Sequence, residues 1–196
     1  MDWVWPLAVY AFAASITPGP NNLMLAASGV AFGVRRTVPH MLGIPAGFAS
    51  LLLLCALGVG ALVLELPTAS LALKIAGSAY LVYLTWTMRR AFDVDDGHSR
   101  ARPLRFYEAF LFQFANPKGW LIALTAASVF LPPDGPTVQA IMVFCSVFVV
   151  INVPCIATWV TVGSTARHFV RNARWRRVLG GTIVLLMTYT IVAIWI

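Results

Sequence analysis

From Trp3 to Val34 the chain carries no charge, and inside that apolar run stands Thr17-Pro18-Gly19-Pro20-Asn21-Asn22. Two prolines and a glycine in succession break a helix, because proline lacks the donor N–H and its ring clashes with the preceding turn. Lipid holds no water to satisfy the freed backbone groups. Irregular backbone at membrane depth therefore survives only where protein buries it or a wet cavity borders it. A second interruption, Asn116-Pro117-Lys118-Gly119, lies in a later apolar run. If the two breaks face each other, they form a polar pocket halfway across a membrane.

The rest of the chain supports a membrane reading. Hydrophobic residues make up 60% of it and charged ones 11%, against about 45–50% and about 25% in soluble domains. Several runs reach the roughly 20 apolar residues that a span needs. The predicted fold is all-α, with six transmembrane helices at about Trp3–Val34, Pro39–Leu64, Leu71–Met88, Phe106–Leu131, Thr137–Thr165 and Val178 to the end. The first and fourth are broken at TPGP and NPK. At ~1.5 Å per residue the first run would be ~48 Å long if straight, against a ~30 Å hydrocarbon core. Two half-helices meeting near mid-depth fit it in. The second span carries Gly43, Pro45, Gly47, Gly58 and Gly60, small residues that allow close approach in lipid. Lys74 can snorkel outward from the third span.

The net charge of +7 resides in three basic groups: Arg35 and Arg36; Arg89 to Arg105; and Arg167 to Arg177. Each follows an odd-numbered span, as cytoplasmic loops do under the positive-inside rule. Orientation thus accounts for the charge without a nucleic-acid partner. Both termini are expected outside, in the cell inner membrane. The N-terminus has no basic n-region or convincing cleavage site and reads as the first span.

Shifting the sequence by about 100 residues aligns Ala26-Ala27-Ser28 with Ala126-Ala127-Ser128, Thr37-Val38 with Thr137-Val138, and Cys55 with Cys155. A slip of one residue brings Pro18 onto Pro117, and a slip of three brings Gly77 onto Gly180. The expected organisation is one transporter domain over 1–196. It comprises a first repeat over 1–92, a cytoplasmic linker over 93–105 and a second repeat over 106–196. Three spans per repeat invert the second relative to the first, the plan of secondary transporters that bind solute at the repeat interface.

At that interface the half-helix starting near Asn21 offers unpaired N–H groups and a partial positive charge, suited to a carboxylate. Asn21 and Asn22 either contact the solute or cap the break. Lys118 is the one charge deep in the membrane; it pairs with substrate, changes protonation, or holds loose carbonyls at the break. Gln113 and Asn116 are placed to orient it or the ligand. Tyr80 and Tyr83 either line the path or pack. Glu108, ~15 Å along a helix from Lys118, reads as a solvated or loop-pairing carboxylate, with proton entry as the alternative. His40 sits where a pH-sensitive gate would, against a satisfied interfacial histidine. Asn152, beside Pro154, is an inter-helix hydrogen-bonding residue or a site residue. No Asp or Glu lies at mid-membrane to receive a cationic side chain or sodium, so a small neutral amino acid is expected. No cofactor or metal is expected.

The motifs also resemble a known family. Thr17-Pro18-Gly19-Pro20-Asn21-Asn22 followed by Gly33-Val34-Arg35-Arg36, then Gly77-Ser78-Ala79-Tyr80-Leu81 and Phe114-Ala115-Asn116-Pro117-Lys118, look like the LysE/RhtB amino-acid exporters over nearly the whole chain. The short length and the FQFANPK context look most similar to the cysteine/O-acetylserine exporter branch. The resemblance implies an inner-membrane carrier exporting amino acids on the proton motive force, with no enzymatic activity. By position Pro18, Gly19, Pro20, Asn21, Asn22, Asn116, Pro117 and Lys118 match the family's motif residues. Glu108 stands where the family often has a small residue. A rival reading is a membrane thiol–disulfide carrier using Cys55 and Cys155, though neither has a CxxC or a basic neighbour to make a thiolate. An intramembrane hydrolase lacks a convergent Ser–His–acid set, since His98 and His168 lie in loops. Apolar faces with small residues are compatible with a homodimer.

Overall fold

The computed structural model describes residues 2–58, 65–89, 102–132, 135–167 and 173–195. Within them lie eight helices: α1 (Val4–Ile16), α2 (Pro20–Phe32), α3 (Val34–Ala56), α4 (Pro67–Arg89), α5 (Phe106–Ala115), α6 (Pro117–Phe130), α7 (Val138–Ala166) and α8 (Ala173–Trp195). Most of the expected linker, the end of the second span, His98 and His168 fall outside the described residues.

The ends of α1, α2, α5 and α6 follow from proline. Thr17, before Pro18, is extended at φ −65° and ψ 144°, the region to which a following proline ring confines a residue. Gly19 is extended as well, and Pro20 opens α2 at its first position, where a missing N–H costs nothing and the fixed φ is already helical. Asn116 repeats the arrangement at φ −94° and ψ 105°, with Pro117 opening α6. At 13 residues α1 is ~20 Å long, too short alone for a ~30 Å core; α5, at 10 residues, is ~15 Å.

Helix α3 starts five residues earlier than the apolar pattern indicates. Gly33 ends α2 and begins α3 in one step at φ +77°, a left-handed conformation that only glycine adopts without strain. Arg35 and Arg36 therefore lie on the first turn of a helix instead of a loop, and Pro39 and Pro45 fall inside it. Pro154 likewise lies inside α7. Hydropathy could not detect a helix that continues through charges and prolines.

Packing crosses the two halves of the chain. The long helix α7 lies along α1 and α2, and α3 lies along α5 and α6; α3 also meets α2 and α7, and α4 pairs with α8. Backbones touch where glycine permits. A Cβ on Gly29 would collide with Val160 O and one on Gly163 with Ala26 O, joining α2 to α7. Gly43 against Phe106 O and Gly47 against Phe110 O do the same for α3 and α5. Around these contacts Leu7, Phe48, Leu51, Phe144 and Phe148 fill one apolar cluster. Its rings meet edge to face, Phe48–Phe148 and Phe144–Phe148 both at 5.6 Å. The outer faces remain apolar: Trp5, Leu121, Val138, Val150, Leu185 and Tyr189 are all exposed, as suits side chains turned toward hydrocarbon. Lys74 lies over the Trp195 ring at 5.9 Å.

Candidate solute-binding site

A helix that stops inside a membrane leaves its last carbonyls without partners. At the end of α1 each is met. Ala13 O accepts from Thr17 N and Ala14 O from Thr17 Oγ1. Ser15 O and Thr17 O each accept from Asn22 Nδ2 at 2.8 Å, and Ile16 O accepts from Trp159 Nε1 at 3.1 Å. Lys118 Nζ, reaching over from α6, donates to Thr17 O at 3.1 Å, Thr17 Oγ1 at 2.9 Å and Pro18 O at 3.3 Å. An ammonium has three donors, so all of its capacity goes to this break. The structure thus has the lysine engaged as a carbonyl cap.

The other break is tied to the first through amides. Asn21 Nδ2 donates to Gln113 Oε1 at 2.8 Å, and Gln113 Nε2 donates back to Asn21 Oδ1 at 3.1 Å and to Ala109 O at 2.9 Å. Asn116 Oδ1 caps α6 by accepting from Lys118 N. Asn21 and Asn22 therefore act first as clamps, one across the two breaks and one within the first.

Between the breaks lies a small cavity, with about 460 Å³ of atom-free space when its open mouth is counted. Gly19, Pro20, Asn21 and Asn22 line one side; Gln113, Asn116, Lys118 and Gly119 face them; Ser15, Ile44, Phe48, Ile156 and Asn152 are among the rest of the wall. The N-terminus of α2, on this wall, has no side-chain cap. Its free donors and partial positive charge leave the cavity electropositive on that side. None of the lining residues is acidic. Asn152, from the middle of α7, donates through Nδ2 to Ser15 Oγ at 3.2 Å, while its buried Oδ1 has no hydrogen-bond partner among the described residues.

The remaining candidates assemble elsewhere. Glu108 is 2% exposed, which corrects the expectation of a solvated side chain, while the loop-pairing alternative describes its contacts well. Arg102 grips it with two bonds of 2.6 Å, Arg105 N donates at 2.7 Å and Tyr83 Oη at 3.0 Å. The carboxylate holds the Arg102 guanidinium above its ordinary range through these hydrogen bonds. Tyr80 Oη donates to Glu108 O, so Tyr80 belongs to this cluster and is absent from the cavity wall. His40, on α3, is fully buried with neither ring nitrogen hydrogen-bonded among the described residues, which corrects the picture of a satisfied interfacial histidine. Burial has won over pairing there, because α3 begins early enough to carry His40 inside the bundle. All three cysteines are free, with Cys55 and Cys155 buried.

Of the sequence's candidates, Gly19, Pro20, Asn21, Asn22, Gln113, Asn116 and Lys118 share one cavity, joined by Asn152, which the sequence suggests first as an inter-helix hydrogen bond; Pro18 and Pro117 form its breaks, and Tyr80, Glu108 and His40 stand apart from it. Sequence reading misses Ser15 and Trp159, which look like ordinary members of apolar runs. Only a complete tally of the carbonyls freed at Thr17 would have called for extra donors.

Comparison with known proteins bears on what this cavity serves. A family profile described as "LysE type translocator" matches residues 12–194. Proteins named "Cysteine/O-acetylserine efflux protein" from Escherichia coli (strain K12) and Shigella flexneri are each 30% identical over 185 residues, covering 94% of this chain and 93% of theirs. A third, from Escherichia coli O1:K1 / APEC, is 29% identical over the same span. No solved structure matches the chain.

Proposed function

Because this chain belongs to the LysE type translocator family, we propose that it is a secondary transporter that exports small neutral amino acids or their derivatives, cysteine and O-acetylserine among them, across the inner membrane. The relatives' names support the substrate class. The carrying observation is the cavity: an uncapped N-terminus on α2 to hold a carboxylate, and no acidic lining residue to attract a cationic side chain. Both termini face outward and the basic loops face the cytoplasm, in line with charge placement.

The mechanism we infer is alternating access driven by protons. The crossed packing of each long helix on the other half's broken pair supports it, since such halves can rock about a common site. Glu108 and His40, buried together near one end of α3 and α5, are the residues proposed for coupling or gating. Lys118 keeps the break open and positions α2. Vesicles loaded with radiolabelled cysteine, O-acetylserine, leucine, lysine or arginine test the reading. Efflux of the first two is expected to exceed that of the basic amino acids, to fall at least about tenfold in Lys118→Ala, and to collapse with a protonophore. Preferred efflux of lysine or arginine would overturn the substrate class, and indifference to the protonophore would overturn the coupling.

A further inference from the structure

We propose that Asn152 Oδ1 is the acceptor for the solute's ammonium group, so that the cavity reads a zwitterion at both ends. The inference deepens the transport reading above and rests on it.

Asn152 is 8% exposed and sits on the cavity wall beside the end of α1. Its amide is fixed on one side by Nδ2 donating to Ser15 Oγ at 3.2 Å. On the other side a carbonyl oxygen, buried from water, has no partner among the described residues. A buried acceptor left unpaired is destabilising, and such groups in folded proteins call for a specific explanation. The other polar side chains around the cavity are engaged: Asn22 with Ser15 O and Thr17 O, Asn21 with Gln113, and Lys118 with the first break. Asn152 Oδ1 is the fully buried side-chain acceptor on this wall with no partner among the described residues, and the backbone donors at the start of α2 are the complementary positive pole. A ligand bearing a carboxylate and an ammonium satisfies both; one bearing only the carboxylate leaves Oδ1 orphaned. The amine is thereby selected by the penalty on ligands that lack it, the stronger form of polar discrimination.

The test measures binding to purified protein in lipid nanodiscs under reducing conditions, with L-cysteine and its amine-free counterpart 3-mercaptopropanoate as probes. Wild type is expected to favour cysteine by at least about tenfold, which is about 1.4 kcal/mol. In Asn152→Leu, cysteine weakens to the level of 3-mercaptopropanoate, whose own affinity moves less than about twofold. Asn152→Asp supplies acceptors only, so it retains or tightens cysteine and weakens 3-mercaptopropanoate. It also serves if the leucine variant does not fold. Equal weakening of both probes in Asn152→Leu, or lost cysteine binding in a folded Asn152→Asp, overturns the assignment and leaves export itself standing. Absence of cysteine efflux from wild-type vesicles overturns the transport reading and this inference with it.

Discussion

Asn22 shows how one side chain can hold open a helix break. Its Nδ2 serves two carbonyls, Ser15 O and Thr17 O, inside a site that water hardly reaches. Asn22→Ala removes both donors and is expected to destabilise by about 1–3 kcal/mol. Asn22→Asp should be worse, because it points a carboxylate at two carbonyl oxygens. Thermal melting in nanodiscs checks the order; an aspartate variant as stable as the alanine variant contradicts the accounting at the break. Glu108 makes the corresponding case for charge. Removing one member of a wholly buried pair costs about 3–5 kcal/mol. The Arg102 side chain is 34% exposed, so Arg102→Ala should cost less, about 2–3 kcal/mol on that scale. Arg102→Lys should recover part of the loss, since it restores the charge without the two-pronged geometry. Matching melting temperatures for Arg102→Ala and wild type would mean that the pair is energetically idle.

At the scale of helices, the close contacts of α2 with α7 and of α3 with α5 depend on glycine. Gly163→Ala places a methyl group against Ala26 O, and Gly29→Ala places one against Val160 O. In both cases the obstacle is backbone, which cannot rotate aside. Each substitution is expected to cost about 1–3 kcal/mol by overpacking. Gly181→Ala, with nothing within 4 Å of its added Cβ, should be near neutral and provides the control. Melting of the three variants in parallel tests this; equal effects would argue against the proximity of the helices. Much at this scale is legible from sequence. The helix ends at Ile16 and Ala115 lie two residues before prolines, and a missing N–H is a local property that any reader can place. The start of α3 is not legible, because a single glycine turn lets a helix begin at Val34, among charges. The partners are harder still: Asn21 and Gln113 are 92 residues apart, and nothing in either neighbourhood specifies the other. His40 and Asn152 stand out in the sequence as a candidate gate and a candidate site residue, but only burial shows which of their atoms lack a partner among the described residues.

For the whole molecule, the outward faces are apolar and the basic groups are segregated, so orientation is its most exposed prediction. In a cysteine-free background, single cysteines at Asp96 and Gly135 should label from opposite sides: the first from the cytoplasm only, the second from outside only. Labelling of both from one side would reverse the three-span count per half. The crossed packing adds a constraint. The amine of Lys118 belongs to the second half of the chain yet fastens the carbonyls of the first half's interruption, and the Asn21–Gln113 amides lie beside it. The two halves are therefore knotted at their waist, and the glycine contacts of Gly43 with Phe106 O and of Gly163 with Ala26 O join them further out. On the transport reading proposed above, rocking would turn about that knot like a balance on its fulcrum, and the solute would stay still while the mouths above and below it opened by turns.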